Sequence, residues 1–146
     1  MYKCGDIMKK GFTLMELIVV MAIIGFLLTV SIPIALNAVK RTRATQIGRN
    51  IRNLINAGET YYYTEKPENF TEISINLLEN KSYLDSSLKE EDLSKYSISS
   101  TEFENYFVLE SVYFGEDIST ELVHEKYPFI QSTGNILFIR LKLGKW

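Results

Sequence analysis

Thr13 and Glu16 are polar residues three positions apart, at the edge of a long apolar stretch. A threonine followed three residues later by a glutamate fits a helix capping box, in which the carboxylate accepts from a backbone N–H that the helix leaves unpaired. A carboxylate beside an apolar segment is also costly unless it meets a cation, so Glu16 is equally a candidate for binding a positively charged partner. The spacing alone leaves both interpretations open.

The apolar stretch runs from Leu17 to Leu36 and contains no charged residue. Twenty residues of α-helix measure about 30 Å, the thickness of the hydrocarbon core of a bilayer. Its only polar side chains, Thr29 and Ser31, can hydrogen-bond to the preceding helical turn. The stretch is longer than the apolar region of an ordinary secretory signal peptide, and no good cleavage site of that kind follows it. It predicts a membrane segment.

The residues before this segment make the interpretation of Glu16 specific. Lys-Lys-Gly, then Phe-Thr-Leu-x-Glu-Leu, then an unbroken apolar span resembles the type III signal of type IV pilins and pseudopilins. The resemblance implies that a prepilin peptidase recognises Lys9, Lys10 and Gly11, cleaves between Gly11 and Phe12, and N-methylates Phe12. Glycine suits such a junction because it has no side chain to obstruct a protease cleft. The resemblance also implies that Glu16 meets the cationic N-terminus of a neighbouring subunit when a filament assembles.

The 146 residues are expected to form three parts. Residues 1–11 are the leader, with Met8 as an alternative start, and residues 12–63 form a long helix whose transmembrane segment covers about residues 17–36. Residues 64–146 form a globular head. Because the only cysteine, Cys4, lies in the leader, the mature chain is expected to have no disulfide.

A second pattern extends the helix beyond Pro33 to Tyr63. Apolar or small residues recur there at spacings of three and four, as on one face of an amphipathic helix; they are Ala44, Ile47, Ile51, Leu54, Gly58 and Tyr61. This face is expected to pack on the protein's own head. Proline costs one backbone hydrogen bond and would loosen the helix at Pro33 rather than end it.

The head is expected to contain a short helix around Ile75–Asn80 and then antiparallel strands. Strand signals lie at Tyr96 and Ile98, over Phe103–Phe114, and in a hairpin. The hairpin is predicted from Tyr127–Gln131, a turn at residues 132–135 and a last strand over Ile136–Leu143. The fold class is α+β: a long N-terminal helix, half transmembrane and half amphipathic, packed on a small antiparallel sheet, as the pilin resemblance also implies.

Charge is distributed unevenly along the chain, and it raises a conflict over topology. Five cations and no acid lie between Asn37 and Arg52, whereas sixteen acids and four lysines lie from Asn53 to Glu125. The positive-inside rule would place the head in the cytoplasm. The resemblance requires the leader inside and the head outside. We follow the resemblance, and expect a single-pass protein of the cytoplasmic membrane that later enters an extracellular or periplasmic filament.

No catalytic or cofactor chemistry is evident in the sequence. His124 is the only histidine, and solvated acids are a better interpretation of Glu116, Asp117 and Glu121 than a metal site. No enzyme activity, small-molecule substrate, cofactor or metal is therefore expected.

DNA capture by the filament is a further hypothesis, suggested by the residues at the C-terminus: Arg140, Lys142, Lys145 and Trp146. The acidity of the head argues against it, because neutralising phosphates dominates affinity for DNA.

The function expected is that of a structural subunit of a type IV pilus-like filament. Its expected partners are the prepilin peptidase, other pilin or pseudopilin subunits, an inner-membrane assembly platform, and membrane lipid before assembly. One alternative is a minor pseudopilin of a type II secretion or competence system. A second, from another class, is a single-pass membrane-anchored binding domain, which would leave the junction at Gly11 and the carboxylate of Glu16 unexplained.

Overall fold

The computed structural model describes residues 11–84, 88, 93–116 and 118–145. Helix α1 (Leu14–Glu65) comes first, followed by a 3-10 turn at Phe70–Glu72 and helix α2 (Ile75–Asn80). A 3-10 turn at Leu93–Lys95 then leads into strands β1 (Tyr96–Glu102) and β2 (Tyr106–Tyr113). Helix α3 (Thr120–Lys126) and strands β3 (Gln131–Thr133) and β4 (Ile136–Gly144) complete the fold. A long N-terminal helix packed on a small antiparallel sheet is a pilin-like α+β architecture, as predicted.

The chain divides into two compact units, Met1–Val39 and Lys40–Trp146. In the first unit, the described part consists of residues 11–13 and the beginning of α1, and all of its residues are exposed. The predicted leader residues Lys9 and Lys10, together with Cys4, lie outside the described residues. Helix α1 contains Pro33 in its interior, so the helix continues past this residue, as predicted.

From Ala44 onward, α1 buries one face in the core of the second unit. The predicted stripe is confirmed: Ala44, Ile47, Ile51 and Leu54 are at most 4% exposed, Gly58 is also buried, and Tyr61 is partly buried against the core. A Cβ atom at Gly58 would lie 2.8 Å from Cδ2 of Leu109 on β2, which is too close for a side chain. The glycine therefore permits the close approach of the helix backbone to the sheet.

The sheet has strand order β1-β2-β4-β3, and every neighbouring pair is antiparallel. On β4, residues 137, 139, 141 and 143 face the core as predicted: Leu137 and Leu143 are buried, while Ile139 and Leu141 pack against the core. Arg140 and Lys142 lie exposed on the other face. The alternation follows from the two-residue period of side chains along a strand.

Aromatic rings fill the space between the end of α1 and the sheet. The Tyr62 ring is 1% exposed and lies 4.7 Å from the Phe70 ring and 5.7 Å from the Phe107 ring, between centroids. Its hydroxyl donates to the carbonyl of Gly144 at 2.8 Å. Tyr62 therefore packs the end of α1 on the head.

Two predicted strands have different bounds in the structure. Residues 103–105 form a turn closed by the N–H of Phe103, which donates to the carbonyl of Tyr106, so β2 begins at Tyr106. Tyr127–Ile130 also form a turn, in which the N–H of Ile130 donates to the carbonyl of Tyr127. Pro128 has no N–H to give to a strand ladder, which accounts for the late start of β3 at Gln131.

The hairpin turn is correspondingly shorter than predicted. Thr133 pairs with Ile136, so only Gly134 and Asn135 form the connection between β3 and β4. Gly134 has φ +61°, a left-handed conformation that glycine adopts without a steric cost. Ser132 and Thr133, predicted as turn residues, are strand residues.

A candidate site at the start of helix α1

Thr13 and Glu16 form the predicted capping box at the start of α1. The N–H of Thr13 donates to Oε2 of Glu16 at 2.8 Å, and the N–H of Glu16 donates to Oγ1 of Thr13 at 3.2 Å. Oγ1 of Thr13 also donates to the same Oε2 at 2.9 Å. The side chains therefore satisfy two backbone N–H groups that α1 cannot pair itself.

The capping arrangement uses one carboxylate oxygen of Glu16 and leaves the other available. Within the described residues, Oε1 of Glu16 accepts no hydrogen bond, and the whole residue is exposed. An ionised carboxylate has about four acceptor positions, so it can accept from Thr13 and also bind a second group. The two interpretations that the sequence left open are thus compatible in one geometry.

Gly11 and Phe12 precede the helix in an exposed, non-helical segment. Phe12 is 88% exposed, and a Cβ atom built at Gly11 would meet nothing within 4 Å. The peptide bond between them is therefore accessible, and Gly11 has no packing function in the described chain.

Helix α1 carries an apolar surface around its whole circumference after Glu16. Eighteen large apolar residues from Phe12 to Val39 are exposed, far more than a soluble monomer presents in one region. Among the described residues, α1 is the single helix long and apolar enough to cross a membrane. Thr29 donates its hydroxyl to the carbonyl of Gly25 at 2.8 Å, as predicted, and Ser31 makes no such bond to a described residue.

The basic C-terminal residues that motivated DNA capture are engaged within the head. Arg140 pairs with Glu110 at 3.1 Å, and Lys145 pairs with Glu102 at 2.7 Å. Nζ of Lys142 lies 3.7 Å from the centroid of the Tyr106 ring. Trp146 is outside the described residues. These contacts reduce the positive charge available to phosphates, in line with the argument against DNA.

The other candidate residues are His124, Glu116, Asp117 and Glu121. His124 on α3 shares a hydrogen bond of 3.0 Å with the hydroxyl of Ser132. Among the residues that the structure describes, no group of three or more His, Cys, Asp or Glu side chains is placed to hold a metal ion. Glu116 and Glu121 are exposed, and Asp117 is outside the described residues.

Helix α3 is an element that the sequence patterns did not identify. It spans Thr120–Lys126, with Glu121 in its first turn and Lys126 in its last. Acids near the beginning of a helix and bases near its end are favoured by the helix dipole, and this charge order was the available signal.

A family model described as the prokaryotic N-terminal methylation motif matches residues 8–32. The match includes Lys9, Lys10, the Gly11–Phe12 junction and Glu16, and it is the prepilin-type signature of type IV pilins. Comparison with curated proteins and with solved structures gives no significant match. The motif and the apolar helix support a pilin- or pseudopilin-like protein, consistent with membrane anchoring.

Proposed function

We propose that this chain is a structural subunit of a type IV pilus-like filament. Prepilin peptidase removes residues 1–11, cleaving after Gly11, and methylates the amine of Phe12. The observation that carries the proposal is the coincidence of the methylation motif over residues 8–32 with an accessible Gly11–Phe12 junction and a carboxylate at the start of an apolar helix.

Before assembly, the segment from Leu17 to Leu36 spans the cytoplasmic membrane, with the head outside the cytoplasm. The assembly platform of the inner membrane then moves the subunit into the filament, where the same apolar surface packs against the helices of other subunits. The available Oε1 of Glu16 accepts from the methylated amine of a neighbour, which stays cationic after methylation. Pairing both charges offsets their loss of hydration and sets the register of the subunits.

The proposed role is assembly rather than catalysis, in keeping with a motif that belongs to a structural and generally non-enzymatic family. A minor pseudopilin of a type II secretion or competence system uses the same processing and the same Glu16 chemistry. The two roles differ in abundance along the filament. Gold-labelled antibodies against the head should decorate sheared filaments along their length if this chain is the main subunit. Sparse labelling would favour the minor role, and filaments without label would overturn the proposal.

A further inference from the structure

The cations that follow the membrane segment are exposed, and two of them form no ion pair within the described part of the chain. Lys40 and Arg41 form no ion pair with any residue of the described chain, although ion pairs occur elsewhere in the head. Arg43 is exposed as well, and no acid occurs between Asn37 and Arg52. Exposed cations beside an apolar span, such as Lys40 and Arg41, can bind the anionic headgroups of lipids.

Two small cavities of the second unit adjoin these cations. One has a volume of about 280 Å³ and is lined by Lys40, Glu116, Ile118, Ser119 and Leu122. The other has a volume of about 230 Å³ and is lined by Arg41, Thr45, Leu122, Glu125 and Lys126. Each cavity joins a helix cation to polar groups of the head. Among the described lining residues, the three cations Lys40, Arg41 and Lys126 outnumber the two carboxylates, Glu116 and Glu125.

The position of Lys40 and Arg41 along α1 indicates which anionic partner they can reach. Lys40, Arg41 and Arg43 follow Leu36 by four to seven residues, which corresponds to about 6–11 Å of helix. The headgroup layer extends about 5–8 Å beyond the hydrocarbon core on each side, so Lys40 and Arg41 reach it. Arg49 and Arg52 come about 20–24 Å after Leu36 along the same helix and lie beyond that layer.

We propose that Lys40 and Arg41, with the cavities they line, bind the phosphate groups of anionic phospholipids at the membrane surface. This inference rests on the membrane segment and not on cleavage or filament assembly. It means that extraction of a subunit into a filament must break these lipid contacts.

The test measures lipid selectivity of the full chain in phosphatidylcholine vesicles. Cys4→Ser removes the native thiol, and Ala38→Cys provides one labelling position for a donor fluorophore in every variant. Vesicles contain a trace of phosphatidylglycerol, phosphatidylethanolamine or phosphatidylcholine with the same acceptor on an acyl chain. Energy transfer then reports how strongly each lipid is enriched near residue 38, whether or not the leader is removed.

For the otherwise unsubstituted chain, phosphatidylglycerol should be enriched about fivefold over phosphatidylcholine, the ratio that one fully engaged cation produces. The ratio should fall with added salt. Lys40→Gln/Arg41→Gln should bring it close to one, whereas the matched pair Arg49→Gln/Arg52→Gln should leave it unchanged. Equal enrichment of both lipids, or equal losses in the two double variants, would overturn the proposal. Stronger enrichment of phosphatidylethanolamine than of phosphatidylglycerol would also overturn it, and would assign the cavities to a zwitterionic headgroup.

Discussion

Thr13 donates both its backbone N–H and its hydroxyl to one oxygen of Glu16, at 2.8 and 2.9 Å. This contact fixes the carboxylate at the first turn of α1 and leaves Oε1 without a hydrogen bond from any described residue. The helix cap and the proposed binding site for a cation thus belong to the same side chain. A substitution that keeps the cap and removes the charge separates the two functions.

Glu16→Gln is that substitution. Glutamine serves in a capping box as glutamate does, so membrane insertion and leader cleavage should be normal. In the filament, the amine of the neighbouring subunit would lose its counter-ion, and breaking a buried ion pair costs about 3–5 kcal/mol. We expect a strong loss of the variant from the sheared fraction, with normal amounts in membranes, when it is the single copy in the cell. Amounts equal to the wild type in the sheared fraction would restrict Glu16 to helix capping.

Gly11→Val should block leader cleavage, because a branched side chain obstructs entry of the backbone into the peptidase. The structure offers a matched control in Gly25→Val. A Cβ atom at either glycine would meet nothing within 4 Å, so neither valine is expected to disturb folding. Mass spectrometry of the membrane fraction should find the Gly11 variant uncut and the Gly25 variant processed. Normal processing of both variants would show that the junction lies elsewhere.

A reporter fused after Trp146 would show on which side of the membrane the head lies. If the head lies outside the cytoplasm, an alkaline phosphatase fusion should be active and a β-galactosidase fusion inactive. The cations between Lys40 and Arg52 would then be an exception to the positive-inside rule. The reverse pattern of activities would contradict assembly into an external filament.

Tyr62→Phe tests the buried hydrogen bond between the end of α1 and β4. Loss of the hydroxyl leaves the Gly144 carbonyl without this donor and should lower the free energy of unfolding by about 1 kcal/mol at neutral pH. Tyr63→Phe is the control, because Tyr63 is adjacent and 52% exposed. Equal stabilities of wild type and Tyr62→Phe in urea unfolding of the detergent-solubilised chain would contradict the expected contribution.

The burial of Tyr62 also predicts how the free energy of unfolding depends on pH in the alkaline range. Burial raises the pKa of Tyr62 above its ordinary value of 10.0, and the neighbouring Tyr63 raises it further. The folded protein therefore retains a proton that the unfolded chain loses above pH 10.0. The stability from this group is complete below that pH and is lost as pH rises through the folded pKa. Above pH 10.0, wild type should lose stability more steeply than Tyr62→Phe, and parallel curves for the two proteins would contradict the shift.

Local patterns predicted the features of this fold that depend on nearby residues. The i, i+3 spacing of Thr13 and Glu16 predicted the cap, and the apolar periodicity from Ala44 predicted the buried face of α1. Helix α2 has its predicted bounds, Ile75–Asn80, and Ser74 accepts a hydrogen bond from the N–H of Leu77 at its start. Each of these features depends on residues that lie within one or two helical turns of one another.

Some features that depend on distant residues were predicted wrongly or were missed. Tyr127 has a strand-forming side chain, but its ring packs on the backbone of α1 at Gly48, and its hydroxyl donates to the carbonyl of Thr45. Tyr127 makes this contact from a turn, and the partners on α1 are too distant in the sequence for a local pattern to reveal them. The cavities beside Lys40 and Arg41 likewise require Glu116 and Glu125, which the tertiary fold brings from more than seventy positions away in the sequence.

The most direct test of the proposed processing is the mass of the N-terminal peptide of the mature protein. Protein should be taken from sheared filaments and from membranes of cells with an active prepilin peptidase, and compared with protein from cells that lack the enzyme. We predict a mature chain that begins at Phe12 and carries one methyl group on its amine in the first two samples, and an intact leader in the third. A mature chain that begins elsewhere, or a leader retained in the presence of the peptidase, would contradict the prepilin interpretation.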